Sequence, residues 1–165
     1  MSKKQKMLLI SLSVISAISI LVMVLTLLFS ANNVEYGEFV PPEFDESAVL
    51  GEPDIPEEAG YSLMNISDDY NIYICGKLHL NNGAVDVYFT SDYGNSALVR
   101  LEVLDEDNKI IGETGLIKPG EYVKSVKITK NITSDSKVKM RVIGYDSDTY
   151  SSAGSASMST TITVD

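Results

Sequence analysis

The chain of 165 residues has one cysteine, one histidine and no tryptophan. A single cysteine, Cys75, cannot form an internal disulfide, so we expect a fold that is stable without a cross-link. No basic residue occurs between Lys6 and Lys77, and the formal net charge is −10. Because nucleic-acid binding depends on basic side chains that neutralise phosphates, we expect no nucleic-acid partner.

The sequence also lacks the patterns of known catalytic and metal sites. His79 is the only histidine for a Ser–His–Asp triad, and no serine stands in a nucleophile-elbow pattern. The acidic stretches 105–108 and 146–149 lack EF-hand spacing, and Lys109 stands where an oxygen ligand is needed. We interpret both as turns, with weak calcium binding as the alternative. We therefore expect no enzymatic activity, no cofactor and no metal.

Cys75 is the one residue with a reactive alternative. It lies two residues from Lys77 and four from His79, on one face of a predicted strand. Neighbouring cations lower the pKa of a thiol and make it more reactive. A thiol that is simply packed in the fold is the interpretation that we favour.

One long run, residues 7–29, contains neither a charge nor a proline. As a helix it is roughly 35 Å long, enough to cross a hydrocarbon core of about 30 Å. It predicts an uncleaved signal anchor in the lipid bilayer, because a cleaved signal peptide has an apolar core of only about 7–15 residues. Lysines in the head, residues 1–6, predict a cytoplasmic amino terminus and an extracytoplasmic remainder of a single-pass cell-membrane protein.

The next stretch, residues 30–60, has nine acidic residues, no basic one and four of the five prolines. Its few apolar residues cannot offset the entropy lost on ordering, so we predict a disordered, extended tether. Its short apolar interruption at 46–51 is interpreted as a turn, with docking on the domain or on a partner as the alternative.

From residue 61 to 165, apolar and polar residues alternate with the period of β-strands. One apolar face per strand is typical of antiparallel sheets packed on one side. Val123 is out of step within its segment, which predicts a bulge or a bend. The segments are 84–90, 97–104, 137–145 and 156–164, with weaker ones at 61–66, 72–80, 109–114 and 122–128.

About seven short strands separated by turns predict an all-β domain. We expect a two-sheet antiparallel β-sandwich of immunoglobulin or fibronectin type III character, preceded by one transmembrane helix. The expected inward-facing residues of the clearest strands are Val85, Val87, Phe89, Ala97, Val99, Leu101, Val103, Val138, Met140, Val142, Ala156, Met158, Thr160, Ile162 and Val164.

Several short motifs in the second half of the chain resemble those of a known family. They are Val87-Tyr88-Phe89, Asn95, the run from Gly115 to Gly120 (GLIKPG), Gly144-Tyr145-Asp146 and the run from Thr160 to Val164 (TTITV). The chain is similar in these motifs and in its layout to uncharacterised single-pass membrane proteins of Gram-positive, clostridia-like bacteria. The resemblance implies a Gram-positive envelope and an extracytoplasmic immunoglobulin-like or fibronectin-like domain. It implies no activity.

Two surface features are candidates for binding. A basic strip is expected from Lys124, Lys127, Lys137, Lys139 and Arg141, which would suit an anionic wall polymer. The polar loop 146–155 carries Tyr150, and such loops supply adaptable contacts around an aromatic anchor. We therefore interpret the chain as a non-enzymatic, membrane-anchored envelope protein that displays a β-sandwich binding module. Its expected partner is another envelope protein or an anionic wall polymer. The alternative is an accessory or chaperone-like subunit of a secretion, conjugation or pilus complex.

Overall fold

The computed structural model describes residues 3–31, 39–67 and 70–164, with side chains described outside 8–12, 27–31 and 67. The chain divides into two units, Met1–Val40 and Pro41–Asp165, each of which is described by itself. Part of the predicted head and residues 32–38 of the predicted tether lie outside the described residues.

The first unit contains one α-helix, α1, over Lys3–Ala31, which includes the predicted segment 7–29. The hydroxyl groups of Ser19 and Thr26 bond back to the helix. Ser19 Oγ donates to the carbonyl oxygen of Ile15 at 3.0 Å, and Thr26 Oγ1 donates to that of Val22 at 2.5 Å. In the part of the chain that the structure describes, no helix is long and apolar enough to cross a membrane. The membrane anchor stays a prediction.

Over its described residues, the second unit is mostly β and contains one short 3-10 helix, Glu57–Ala59. The strands are β1 (Val49–Leu50), β2 (Tyr61–Ser67), β3 (Tyr70–Cys75), β4 (Leu78–Asn81), β5 (Ala84–Ser91), β6 (Ala97–Leu104), β7 (Ile110–Glu113), β8 (Glu121–Lys127), β9 (Ser136–Asp146) and β10 (Ser152–Thr163).

These strands form one curled, mixed sheet with the order β1-β8-β5-β4-β10-β9-β6-β7, while β2 pairs with β3 and β3 with β5. The β-rich fold is therefore confirmed. The pairing does not show the expected division into two antiparallel sheets. β4 joins one half of the sheet, which contains β1, β8 and β5, to the other half, which contains β10, β9, β6 and β7. It pairs antiparallel with β5 and, through Leu78 and His79, parallel with β10.

The core lies inside the curl and collects the apolar faces of both halves. The inward-facing residues expected for 84–90, 97–104 and 137–145 are all buried. In 156–164, Ile162 is buried, whereas the other expected residues are only partly buried, namely Ala156, Met158, Thr160 and Val164. β6 is buried on its other face as well, where Leu98, Glu102 and Leu104 are almost inaccessible to solvent. The alternation along the strands therefore predicted which residues form the core. It did not predict that the second face of β6 is also buried, because that depends on how the rest of the fold covers this strand.

The predicted irregularity at Val123 is present, but the extra residue lies in the neighbouring strand β5. Asp86 pairs with Ser125 and Phe89 with Val123, so two residues of β5 oppose one of β8. Tyr88, one of these two, has a φ of 43°. A bulge of this kind lets Val123 and Val126, three positions apart, both face the core.

The predicted strand 72–80 is wrong in one respect, since it is divided into β3 and β4. At the break, the amides of Gly76 and Lys77 donate to the carbonyl oxygens of Gly60 and Ala59, at 3.1 and 3.2 Å. The break separates β3, which pairs with β5, from β4, which pairs with both β5 and β10.

Residues 43–51, which we call the strap, contradict the disorder predicted for 30–60. The amide of Leu116 donates to the carbonyl of Glu43 at 2.8 Å, and the amide of Gly51 to that of Gly120 at 2.9 Å. Between these points, β1 pairs with Glu121 and Tyr122 of β8. The prediction failed because it counted apolar burial alone, whereas the strap is held mainly by hydrogen bonds.

Candidate functional site

The basic residues expected to form one strip are divided between two strands. Lys124 and Lys127 are exposed on β8, whereas Lys137, Lys139 and Arg141 belong to β9. β8 pairs with β1 and β5, and β9 pairs with β6 and β10, so the two sets are not neighbours in the sheet. The turn between them does not close a β8–β9 hairpin, which is what the strip required.

Several of these basic side chains also interact with other side chains. Arg141 Nε donates to Glu102 Oε2 at 2.7 Å, and Lys139 Nζ donates to Asn108 Oδ1 at 2.7 Å. Lys124 Nζ lies 5.8 Å from the centre of the Tyr88 ring. Lys137 is exposed and forms no ion pair among the described residues.

Lys137 and Lys139 line an open polar cleft of about 540 Å³ with Asp105, Asn108 and Thr160. At its side, Lys130 Nζ contacts Asp105 Oδ2 at 2.8 Å. The hydrogen bond from Lys130, followed by one from the Lys109 amide, lowers the pKa of Asp105 below its usual range. The cleft is thus lined by charges of both signs, which limits its attraction for a polyanion.

In each of the two acidic turns, the carboxylate of the first aspartate accepts hydrogen bonds from backbone amides of its own turn. Asp105 Oδ1 accepts from the amides of Asp107 and Lys109, both at 3.0 Å. Asp146 Oδ1 accepts from the Thr149 amide and hydroxyl, both at 2.8 Å, and these bonds lower the pKa of Asp146. In the described ranges, no three His, Cys, Asp or Glu side chains are grouped so as to hold a metal ion.

Cys75 is fully buried, and its burial raises the pKa of the thiol to about 11, with a smaller contribution from Asp86. Neither suspected activating cation lowers this pKa. Lys77 is exposed, and His79 Nδ1 lies 2.8 Å from Thr163 Oγ1 on β10. The geometry favours the packed thiol over the reactive one.

Tyr150 lies in the turn between β9 and β10, where it is half-buried rather than projecting as an anchor. Its φ is 55°, and its amide donates to the carbonyl of Asp146 at 3.0 Å. A tight turn of this kind holds the backbone of residues 146–151 in place, so the loop is shorter than the sequence predicted.

The strap docks on the GLIKPG run through Asp45. Asp45 Oδ2 accepts from the Gly115 amide at 2.8 Å, and its Oδ1 accepts from the Ser47 amide and hydroxyl at 2.9 and 2.6 Å. A Cβ atom at Gly115 would lie 2.5 Å from the backbone nitrogen of Asp45. Lys118 Nζ lies 4.9 Å from the centre of the Phe44 ring. Glycine at 115 is therefore a requirement of strap docking.

The end of the strap borders a second cleft, of about 330 Å³, which we call the tyrosine cleft. Tyr61, Tyr73 and Tyr93 line it with Glu52 and Asp92. The Tyr61 and Tyr73 rings are stacked, with their centres 5.6 Å apart. The sequence analysis missed this cleft, because its residues come from separate strands and from the supposed tether, without a local pattern.

Besides the stacking of Tyr61 on Tyr73, two contacts hold the tyrosines in place. Tyr61 Oη donates to Thr90 Oγ1 at 2.7 Å. Burial is the main cause that raises the pKa of Tyr61, and the nearby charge of Glu52 adds to it. The Tyr93 ring lies against Gly120, where an added Cβ atom would overlap with the ring, yet the side chain stays 64% exposed. The cleft is thus preformed, with aromatic surface open to solvent.

Comparison of the chain with protein families, curated proteins and solved structures found no match. The resemblance to clostridia-like membrane proteins stays a prediction from the motifs.

Proposed function

We propose that this chain is a membrane-anchored protein of the cell envelope whose β unit is a non-enzymatic binding module. The uncharged run 7–29, preceded by Lys3, Lys4 and Lys6, supports an anchor with a cytoplasmic amino terminus. The large apolar side chains from Val14 to Leu25 are exposed and include six consecutive positions, 20–25. A helix that is apolar on all sides requires a lipid or protein environment.

The finer fold assignment, a two-sheet sandwich of immunoglobulin or fibronectin type III character, also belongs to this proposal. Its support is the core, in which residues of β3, β5 and β8 form one cluster with residues of β6, β9 and β10. Two packed faces of this kind are the basis of sandwich folds. In this proposal, β4 is the strand that crosses between the two faces.

The tyrosine cleft is the observation that carries the binding role. Aromatic side chains in a preformed concavity with a few polar groups are typical of ligand sites. Three tyrosines line this one cleft, and Tyr93 is largely exposed. They therefore lack part of the stabilisation that aromatic rings gain when they are buried in a core. Lys137 and Lys139, beside the polar cleft, are a second candidate surface, for an anionic polymer of the envelope.

Single-cysteine labelling in intact cells tests the anchor and the orientation. In a Cys75→Ala background, one variant carries Gln5→Cys and the other carries Ser155→Cys, both at exposed positions. A membrane-impermeant maleimide should label the Ser155→Cys chain in intact cells and the Gln5→Cys chain only after lysis. Equal labelling of both, or the reverse order, would overturn the proposed location.

A further inference from the structure

We propose that the tyrosine cleft binds an organic cation with an ammonium group, either quaternary ammonium or a protonated primary amine. This assignment rests on the proposed binding role of the β unit and names the ligand of that site. Three observations support it: the aromatic lining, the charge of the lining and the geometry of the walls.

The aromatic lining is of the kind that attracts cations. Tyr61, Tyr73 and Tyr93 all line the cleft, and the face of an aromatic ring carries negative partial charge. Tyr61 and Tyr73 stack on each other at an interplanar angle of 19°, so each has at most one face left for a ligand. Groups of aromatic rings around one concavity are the usual way in which proteins recognise quaternary ammonium ions.

The charge of the lining selects the same class. Glu52 and Asp92 are the charged residues that line the cleft, and no lysine or arginine lines it in the described part of the chain. Asp92 Oδ1 accepts a hydrogen bond from the Gly94 amide at 2.7 Å, which fixes this carboxylate at the rim. An anionic ligand would meet two carboxylates without a compensating cation. A neutral ligand would gain no ionic attraction from either carboxylate.

The walls of the cleft come from two parts of the chain. Tyr61 and Tyr73 belong to β2 and β3, whereas Glu52 and Pro53 directly follow the strap. The Gly51 amide, bonded to the carbonyl of Gly120, places Glu52 next to the ring cluster. A cation bound here would contact both the aromatic wall and the carboxylate of Glu52, the residue next to the strap. Binding and strap docking should therefore stabilise each other.

Choline and its uncharged carbon isostere, 3,3-dimethylbutan-1-ol, are a matched pair of probes. The full chain, with 13C-labelled tyrosines and in a maltoside detergent that carries no choline headgroup, is titrated with each probe. We expect choline to shift the ring signals of Tyr61, Tyr73 and Tyr93 saturably, at roughly millimolar affinity. The isostere should bind at least about tenfold more weakly, because it lacks the cation–π and carboxylate attraction.

Variants separate the charge from the fold. Glu52→Gln should weaken choline binding roughly three- to tenfold. Glu46→Gln removes the same charge from the strap outside the cleft and is the matched control, expected to leave the affinity unchanged. Equal binding of the two probes, shifts confined to tyrosines outside the cleft, or no binding of choline would each overturn the ammonium assignment. None of these results bears on the labelling test, so failure of this assignment and failure of the proposed location are distinguishable.

Discussion

At the scale of single residues, Cys75 shows how burial determines reactivity. The thiol lies in the core, and its pKa of about 11 leaves almost no thiolate at neutral pH. We expect Ellman's reagent to modify the native chain at pH 8 at least about 100-fold more slowly than the urea-unfolded chain, because modification requires opening of the core. The Ser155→Cys chain in the Cys75→Ala background should react rapidly in its native state. Fast modification of native Cys75 would contradict this picture.

Asp105 gives a second prediction at this scale, through its bond to Lys130. Because the folded state lowers the pKa of Asp105, the ionised carboxylate stabilises the fold. This contribution is complete above the unfolded pKa, near about 4, and is lost as the pH falls through the lowered folded pKa. Asp105→Asn should therefore lower the urea midpoint most at pH 7, with a difference from the wild type that shrinks toward pH 3.

Lys130→Met is the matched partner for that experiment, because Lys130 is the main cause of the lowered pKa. Lys130→Met should lower the urea midpoint at pH 7 by part of the amount that Asp105→Asn does. The double variant should lower the midpoint by less than the sum of the two single variants. Additive losses at pH 7 would show that the two side chains do not stabilise each other in solution.

At the scale of elements, the strap is the part of the fold that depends most on one residue. Gly115→Ala would place a methyl group against the backbone of Glu43 and Asp45, which cannot move without breaking the bonds to Leu116. We expect a loss of about 1–3 kcal/mol in the free energy of unfolding, with the sheet still folded. Amide hydrogen exchange should show faster exchange at Asp45, Leu116 and Gly51.

Gly76→Ala is the control for this change. The added Cβ atom would meet its nearest neighbour, the Gly60 carbonyl oxygen, at 3.6 Å, an ordinary contact distance. Exchange at the strap amides should stay as in the wild type. If both alanine variants accelerate exchange equally, the contact between Gly115 and Asp45 is not what holds the strap.

The elements also show which residues a sequence-based prediction can interpret. β5, β6 and β9 were predicted because their faces alternate, whereas the two residues of β1 carry no periodicity and lie among prolines and acids. The motifs behind the family resemblance have structural roles in this fold. The side chain of Asn95 bonds to the backbone of Asn71 at 2.7 Å, and Gly144 makes room for the Tyr70 ring. Such residues indicate a fold and leave the ligand open.

At the scale of the whole molecule, the closure of the sheet depends on the end of β10. Ile162 is fully buried and pairs with Leu78 of β4, where the two halves meet. Ile162→Ala should lower the free energy of unfolding by about 2–5 kcal/mol, because it leaves a cavity at this junction. The neighbouring exposed Thr161→Ala should change it by less than about 0.5 kcal/mol.

Urea unfolding followed by near-ultraviolet circular dichroism and by modification of Cys75 measures this effect with two probes. Because one core cluster joins the halves, both probes should report the same midpoint in the wild type and in Ile162→Ala. Separate midpoints would mean that the halves unfold independently.

The topology of the whole sheet also separates the basic residues that the sequence predicts to form one strip. Lys127 and Lys137 are close in sequence, and a hairpin would have placed their strands side by side. The chain instead crosses from β8 to pair β9 with β6. Crossings of this kind depend on which faces can be buried together, and local patterns do not encode them. The tyrosine cleft was missed for the same reason.

The position of the strap has a consequence for copies of this protein that are crowded together. β1 covers the outer side of β8 at Glu121 and Tyr122. Without it, the unpaired amides and carbonyls of that strand would be a template on which another chain could add a strand. The docked strap thus prevents another chain from pairing with β8, and in this way it opposes aggregation. Gly115→Ala should therefore promote self-association as concentration rises, an effect that light scattering would detect.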